Sequence, residues 1–165
     1  MLQHFAKWLE ATPLSLLLQN ELWVIPTVQT IHILAIAVVI SSVGMIVLRL
    51  LGKADPASPV SDTAQRFVPW IWVALVVLAI TGSIMVIAEP VRSLPNPAFQ
   101  LKMLMLVLAM GMTLLFQGTV GRVGQGGSTI AISPTTRLVA LATLGLWLGI
   151  IIAGRWIAYM ILPEY

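Results

Sequence analysis

The sequence predicts an all-α integral membrane protein: a four-transmembrane-helix up-down bundle preceded by an N-terminal interfacial amphipathic helix. Three observations predict it. Hydrophobic residues make up 59% of the 165-residue chain, against roughly 45–50% in a soluble domain. Charged residues make up 9%, against about 25%. Four apolar stretches reach the roughly 20 residues needed to cross a bilayer. Fifteen charges cannot cover a soluble surface of this size. A net charge of +3 spread along the chain makes no basic track for phosphates, so nucleic acid is excluded as a partner. The chain has no cysteine, which excludes disulfides, iron–sulfur clusters and thioether-bound c-type haem.

The chain reads as one membrane domain over residues 1–165, with residues 1–21 forming an interfacial segment. Leu2, Phe5, Trp8 and Leu9 share one helical side and Gln3, His4, Lys7 and Glu10 the other, the pattern of a helix lying in the membrane surface. Thr12-Pro13 restarts a short helix, with Thr12 as N-cap and Pro13 at the first position. Met1–Lys7 lacks the basic and apolar regions of a signal peptide, so the N-terminus is expected to be retained.

The first span is expected over about 23–51, with Pro26 in its first turn. The second covers about 67–88, with Pro69 near its start. The third covers 98–117 and the fourth about 138–162. Lipid supplies no hydrogen-bond partners, so helices are the economical reading of each. The connections hold Pro56 and Pro59, then Pro90, Pro95 and Pro97, then a Gly- and Ser-rich stretch over 118–136, and read as turns. The run from Gly121 to Gly127 lacks the Lys-Ser/Thr of a phosphate loop and also reads as a turn. Trp23, Trp70, Trp72 and Trp156 lie near span ends, as an aromatic belt requires.

Arg49, Lys53, Arg66, Arg122 and Arg137 fall on one side of this threading, and Lys7, Arg92, Lys102 and Arg155 on the other. Acids favour the second side, with Glu10, Glu21, Glu89 and Glu164 against Asp55 and Asp62. The basic bias predicts a multi-pass protein with both termini facing outward, periplasmic if the membrane is the inner (cytoplasmic) membrane of a Gram-negative bacterium.

Polar groups at membrane depth are costly and are the first candidates for function. His32 lies about 13 Å along the first span, with Gln29 on its face one turn earlier. Glu89, Arg92, Lys102 and Arg155 reach the same outer third by antiparallel threading. Together these six are the candidate cofactor-binding residues. The competing reading has them satisfy one another, Arg155 with Glu89 and His32 with Gln29 or a carbonyl. Met85 and Met103 lie at similar depth. With His32 they form a candidate metal set, since thioethers suit copper(I) or an axial haem position; the plainer reading is gap-filling by flexible side chains. Gly145 and Gly149, extended by Ala142 and Ala153, allow close helix approach, either within the bundle or in a homo-oligomer.

Several pieces together resemble a family of small four-helix bacterial inner-membrane proteins of unknown function. They are Ile31-His32-Ile33-Leu34, Leu48-Arg49-Leu50-Leu51-Gly52, Pro69-Trp70, Thr81-Gly82, Asn96-Pro97-Ala98-Phe99 with Lys102-Met103, and the run Ala153-Gly154-Arg155-Trp156-Ile157-Ala158-Tyr159. The resemblance spans nearly the whole chain and implies no activity. More loosely the chain is similar to copper-resistance and b-type cytochrome membrane bundles, which implies haem on an intramembrane histidine. In the first family a histidine often stands where this chain has Gln117. Gln117 is no ordinary haem ligand and lies about 20 Å deeper than His32 on this threading, so a bis-histidine site is not expected.

Three functions follow. The first is a small membrane subunit, without catalysis of its own, whose outward-facing polar pocket binds a cofactor, lipid or quinone, or which docks to a membrane or periplasmic protein complex. The second is a b-type haem electron-transfer protein ligated through His32, with haem b placed ahead of copper as cofactor. The third is a small transporter or channel subunit, although no inverted repeat or ring of like charge supports it. An enzyme comes last, because no nucleophile–base pair, paired carboxylate or metal-hydrolase motif is present.

Overall fold

A computed structural model describes residues 1–54, 60–125 and 134–157; for 116–125 and 134 it describes the backbone. Among the described residues every regular element is a helix: α1 (Leu2–Glu10), α2 (Pro13–Asn20), α3 (Val24–Leu50), α4 (Val60–Ala88), α5 (Pro90–Ser93), α6 (Pro97–Gln125) and α7 (Pro134–Trp156). Helices α3, α4, α6 and α7 are each long and apolar enough to cross a membrane. The protein is therefore a multi-pass membrane protein whose environment is the lipid bilayer.

The surface segment forms as its residues dictate. Phe5 and Trp8 stack on α1 with ring centroids 5.7 Å apart. Thr12 caps α2 by accepting from the Ser15 backbone N–H at 3.4 Å, with Pro13 at the first helical position. Helix α1 packs on the single turn α5, and its one buried residue is Ala6.

Three element ends differ from the sequence expectation. Helix α4 begins at Val60, two turns before Phe67, and carries Pro69 inside it. Proline removes one i→i−4 bond, and here the polar turns Val60–Arg66 still continue the helix on their own backbone bonds. Helix α6 runs through Gln125, so residues 118–125, expected as a loop, are helical. The rest of the glycine run, and the expected end of the fourth span beyond residue 157, lie outside the described residues. Helix α7 starts at Pro134 rather than near Leu138.

The bundle is two antiparallel hairpins. Helices α3 and α4 pack along most of their length, as do α6 and α7; α3 also lies against α7, while α4 meets α6 sparsely. The core is built from Val39, Val43, Ile46, Val47 and Leu50 of α3 with Ile71 and Leu75 of α4 and Trp147 and Ile150 of α7. Small residues at Ala64, Ala74, Ala109 and Ala140 are buried between them, which lets the backbones approach where lipid gives no hydrophobic drive. Trp72 packs against this core instead of joining the aromatic belt, whereas Trp23, Trp70 and Trp156 stay uncovered by protein.

Candidate functional site

The polar residues of the bundle gather at the end that carries α1, α2 and α5. His32 lies eight residues after Val24, about 12 Å along α3, and Thr81 seven residues before Ala88, about 10 Å from the end of α4. Antiparallel packing of α3 on α4 makes these depths coincide. The His32 Nδ1 is 2.7 Å from Thr81 Oγ1, and His32 and Thr81 are both buried, at 8% and 5% exposure.

This contact fixes the tautomer of the ring. Thr81 Oγ1 lies 2.7 Å from the Val77 carbonyl oxygen one turn earlier and donates its single proton there. A hydroxyl that has given up its proton can only accept, so His32 Nδ1 carries the hydrogen and donates to Thr81. The other nitrogen, Nε2, is left with a bare lone pair. No described group bonds it. Gly82 completes the seat: a Cβ there would stand 3.7 Å from His32 Cε1, so the ring rests over a strip of α4 that has no side chain.

Lys102 enters from α6, five residues after Pro97 and about 8 Å along the helix. Its half-buried side chain crosses to α7 and lies over Gly154, where a Cβ would meet Nζ at 3.4 Å, Cε at 3.7 Å and Cδ at 3.8 Å. Gly154 is two residues from the end of α7, so the stem runs outward along the bundle and presents Nζ nearer the surface than His32. No carboxylate among the described residues pairs with Lys102. The site thus holds an acceptor at depth and a cationic donor above it.

The other expected site residues are placed differently. Glu89 and Arg92 pair with each other at 3.0 Å, both about half exposed, beside α5. Arg155 and Gln29 are exposed, so the pairings Arg155 with Glu89 and His32 with Gln29 are not formed. Met85 and Met103 are half-buried, and among the described residues no cluster of three or more His, Cys, Asp or Glu is placed to hold a metal ion. His4 is exposed on α1. Gln117 lies in the inner part of α6, outside the described side chains. Met105 lies against the position a Gly149 Cβ would take, and Gly145 has open space.

Two contributors escape a reading of the sequence. Thr81 is one; its signal was a hydroxyl beside a glycine at the depth of His32. The other is the pair Ser15 and Gln19 on α2. Ser15 Oγ donates to the Ile87 carbonyl at 2.7 Å, and Gln19 Nε2 donates to the Ala88 carbonyl and to Ser15 Oγ, each at 3.0 Å. They supply partners for the last carbonyls of α4, which have none within the helix, and hold α2 against the end of α4. Toward the other end of the bundle a small, partly open apolar crevice lies between Val43, Val47, Ile71, Thr113 and Thr143. Its threonines spend their protons on Ala109 and Val139 carbonyls, each at 2.8 Å, which leaves it without a free donor.

The fold defines a small multi-pass helical membrane protein in which a buried histidine and a half-buried lysine lie toward one end. The chain belongs to the family of unknown function DUF6644, whose model matches residues 5–160. No curated protein and no solved structure matches the chain.

Proposed function

We propose that the protein is a small inner-membrane subunit, with α1 and α2 on the periplasmic side, that holds the polar head of an apolar molecule between His32 and Lys102 and carries out no catalysis of its own. The observation that carries this reading is the state of the two groups. His32 Nε2 keeps an unused lone pair because Thr81 commits Nδ1, and Lys102 brings a cation with no carboxylate to match it. A ligand that reaches both groups supplies the hydrogen-bond partner that each one lacks. The test is to purify the protein in mild detergent, extract it, and identify any stoichiometric organic molecule by mass spectrometry. A retained molecule that is lost from the His32→Ala, Lys102→Met double variant supports the reading. Nothing retained, or equal retention by the variant, overturns it.

A second reading, a b-type haem protein, is favoured by the same tautomer. A bare Nε2 with Nδ1–H held by a hydroxyl is the state in which imidazole binds iron, and Lys102 would face a propionate. A reduced-minus-oxidised spectrum of protein expressed with added haem tests it; a featureless spectrum ends it.

A further inference from the structure

Resting on the proposal that this site binds a ligand, we infer that the ligand is a hydroquinone and that the site prefers it to the oxidised quinone. The argument is one of donors and acceptors. His32 Nε2 can only accept, because the ring's one hydrogen is on Nδ1. Lys102 Nζ donates, as an ammonium does. The partner must therefore offer a hydrogen-bond donor at the deeper end and an oxygen acceptor at the shallower end.

The depth narrows the chemistry. His32 sits about 12 Å along α3, below the head groups, where a glycerophospholipid offers ester carbonyls. Those are acceptors. They satisfy Lys102 and leave Nε2 unmet. An oxidised quinone has two carbonyl oxygens and the same shortcoming. A hydroquinone puts a hydroxyl proton on Nε2 while its other oxygen accepts from Nζ. An apolar ring also has a way in. The α4–α6 seam is sparsely packed, and Ile80 of α4 and Leu101 and Leu104 of α6 are uncovered by protein, so a path sideways from the bilayer is the one this reading requires.

The experiment uses the full chain in phosphatidylcholine nanodiscs free of quinone, titrated anaerobically with a short-chain benzoquinol, the matching benzoquinone and the dimethyl ether of the quinol. One additional hydrogen bond, to His32 Nε2, predicts binding of the quinol about tenfold tighter than of the quinone, with the ether no better than the quinone. His32→Ala is expected to abolish that ratio by weakening the quinol alone, whereas Lys102→Met weakens both forms. Equal affinities in the unmodified protein, or a ratio that survives His32→Ala, overturn the inference. If neither form binds but a haem or a lipid is retained through His32 and Lys102, the hydroquinone is refuted and the binding subunit stands. If nothing retained depends on those residues, both fall.

Discussion

Ser15 on the surface helix α2 gives its hydroxyl proton to the carbonyl of Ile87, 2.7 Å away at the end of the transmembrane helix α4. The two residues are 72 positions apart, and Ser15 is fully buried. The contact makes α2 a cap on α4 and not merely an amphipathic strip resting on lipid. Ser15→Ala is expected to cost about 1 kcal/mol in reversible unfolding in detergent. Gln19→Ala should cost a similar amount. Because Gln19 also donates to Ser15 Oγ at 3.0 Å, the double variant should cost less than the sum of the two. Hydrogen exchange over residues 13–20 should speed up in each variant while α3 is unchanged. Unaltered exchange in α2 would show that the segment is held by its apolar side alone.

The His32–Thr81 contact predicts a tautomer. In ¹⁵N spectra of protein labelled at histidine, His32 should show a protonated Nδ1 and a lone-pair Nε2, because Thr81 spends its proton on Val77. Thr81→Ser keeps the acceptor and should keep the tautomer. Thr81→Val removes it, leaves Nδ1 buried without a partner, and should cost about 1–3 kcal/mol. Protonation at Nε2 in the unmodified protein would contradict the hydrogen-bond chain and with it the ligand-binding argument.

The four spans were legible because each apolar run is longer than any soluble helix needs and lipid allows no other structure. The start of α2 was legible because Thr12-Pro13 is a capping signal with a mechanism, and it forms. The ends of α4 and α6 were not. Ser61, Asp62, Gln65 and Arg66 look like loop, yet outside the bilayer a helix continues wherever its own backbone bonds suffice. In the site, His32 and Lys102 were legible because ionisable side chains at membrane depth are rare. Glu89 and Arg155 share that depth but not the inward direction, and depth along a helix does not say which way a side chain faces. Thr81 gave almost no signal, since a threonine in a span can satisfy its hydroxyl on the preceding turn, as Thr113 and Thr143 do.

Asn96 is fully buried before α6, and its Oδ1 accepts from the Ala98 N–H at 2.9 Å. Asn96→Ala removes this N-cap and should lower stability by about 1–2 kcal/mol. Its Nδ2 is buried without a hydrogen-bond partner, so Asn96→Ser, which retains a capping oxygen and discards that orphan donor, should recover most of the loss. Chemical denaturation of the three proteins in one detergent measures both steps. A serine variant as weak as the alanine variant would mean that the asparagine acts through packing and not as a cap.

Two glycines of α7, Gly145 and Gly149, should respond in opposite ways to the same change. A Cβ on Gly149 would collide with Met105, while one on Gly145 meets nothing within 4 Å. Gly149 is therefore a contact within the bundle, where the α6 backbone and its methionine come close to α7. Gly149→Leu should cost about 1–3 kcal/mol, the ordinary cost of overpacking. Met105→Ala introduced beside it should restore part of that by clearing the space. Gly145→Leu should leave folding stability within about 0.5 kcal/mol of the unmodified protein, as substitutions at uncovered positions do. Light scattering on the Gly145→Leu protein separates the remaining possibility, because a glycine buried between two copies would give a smaller particle after the substitution. An unchanged mass with unchanged stability leaves Gly149 serving the bundle and Gly145 uncovered by protein.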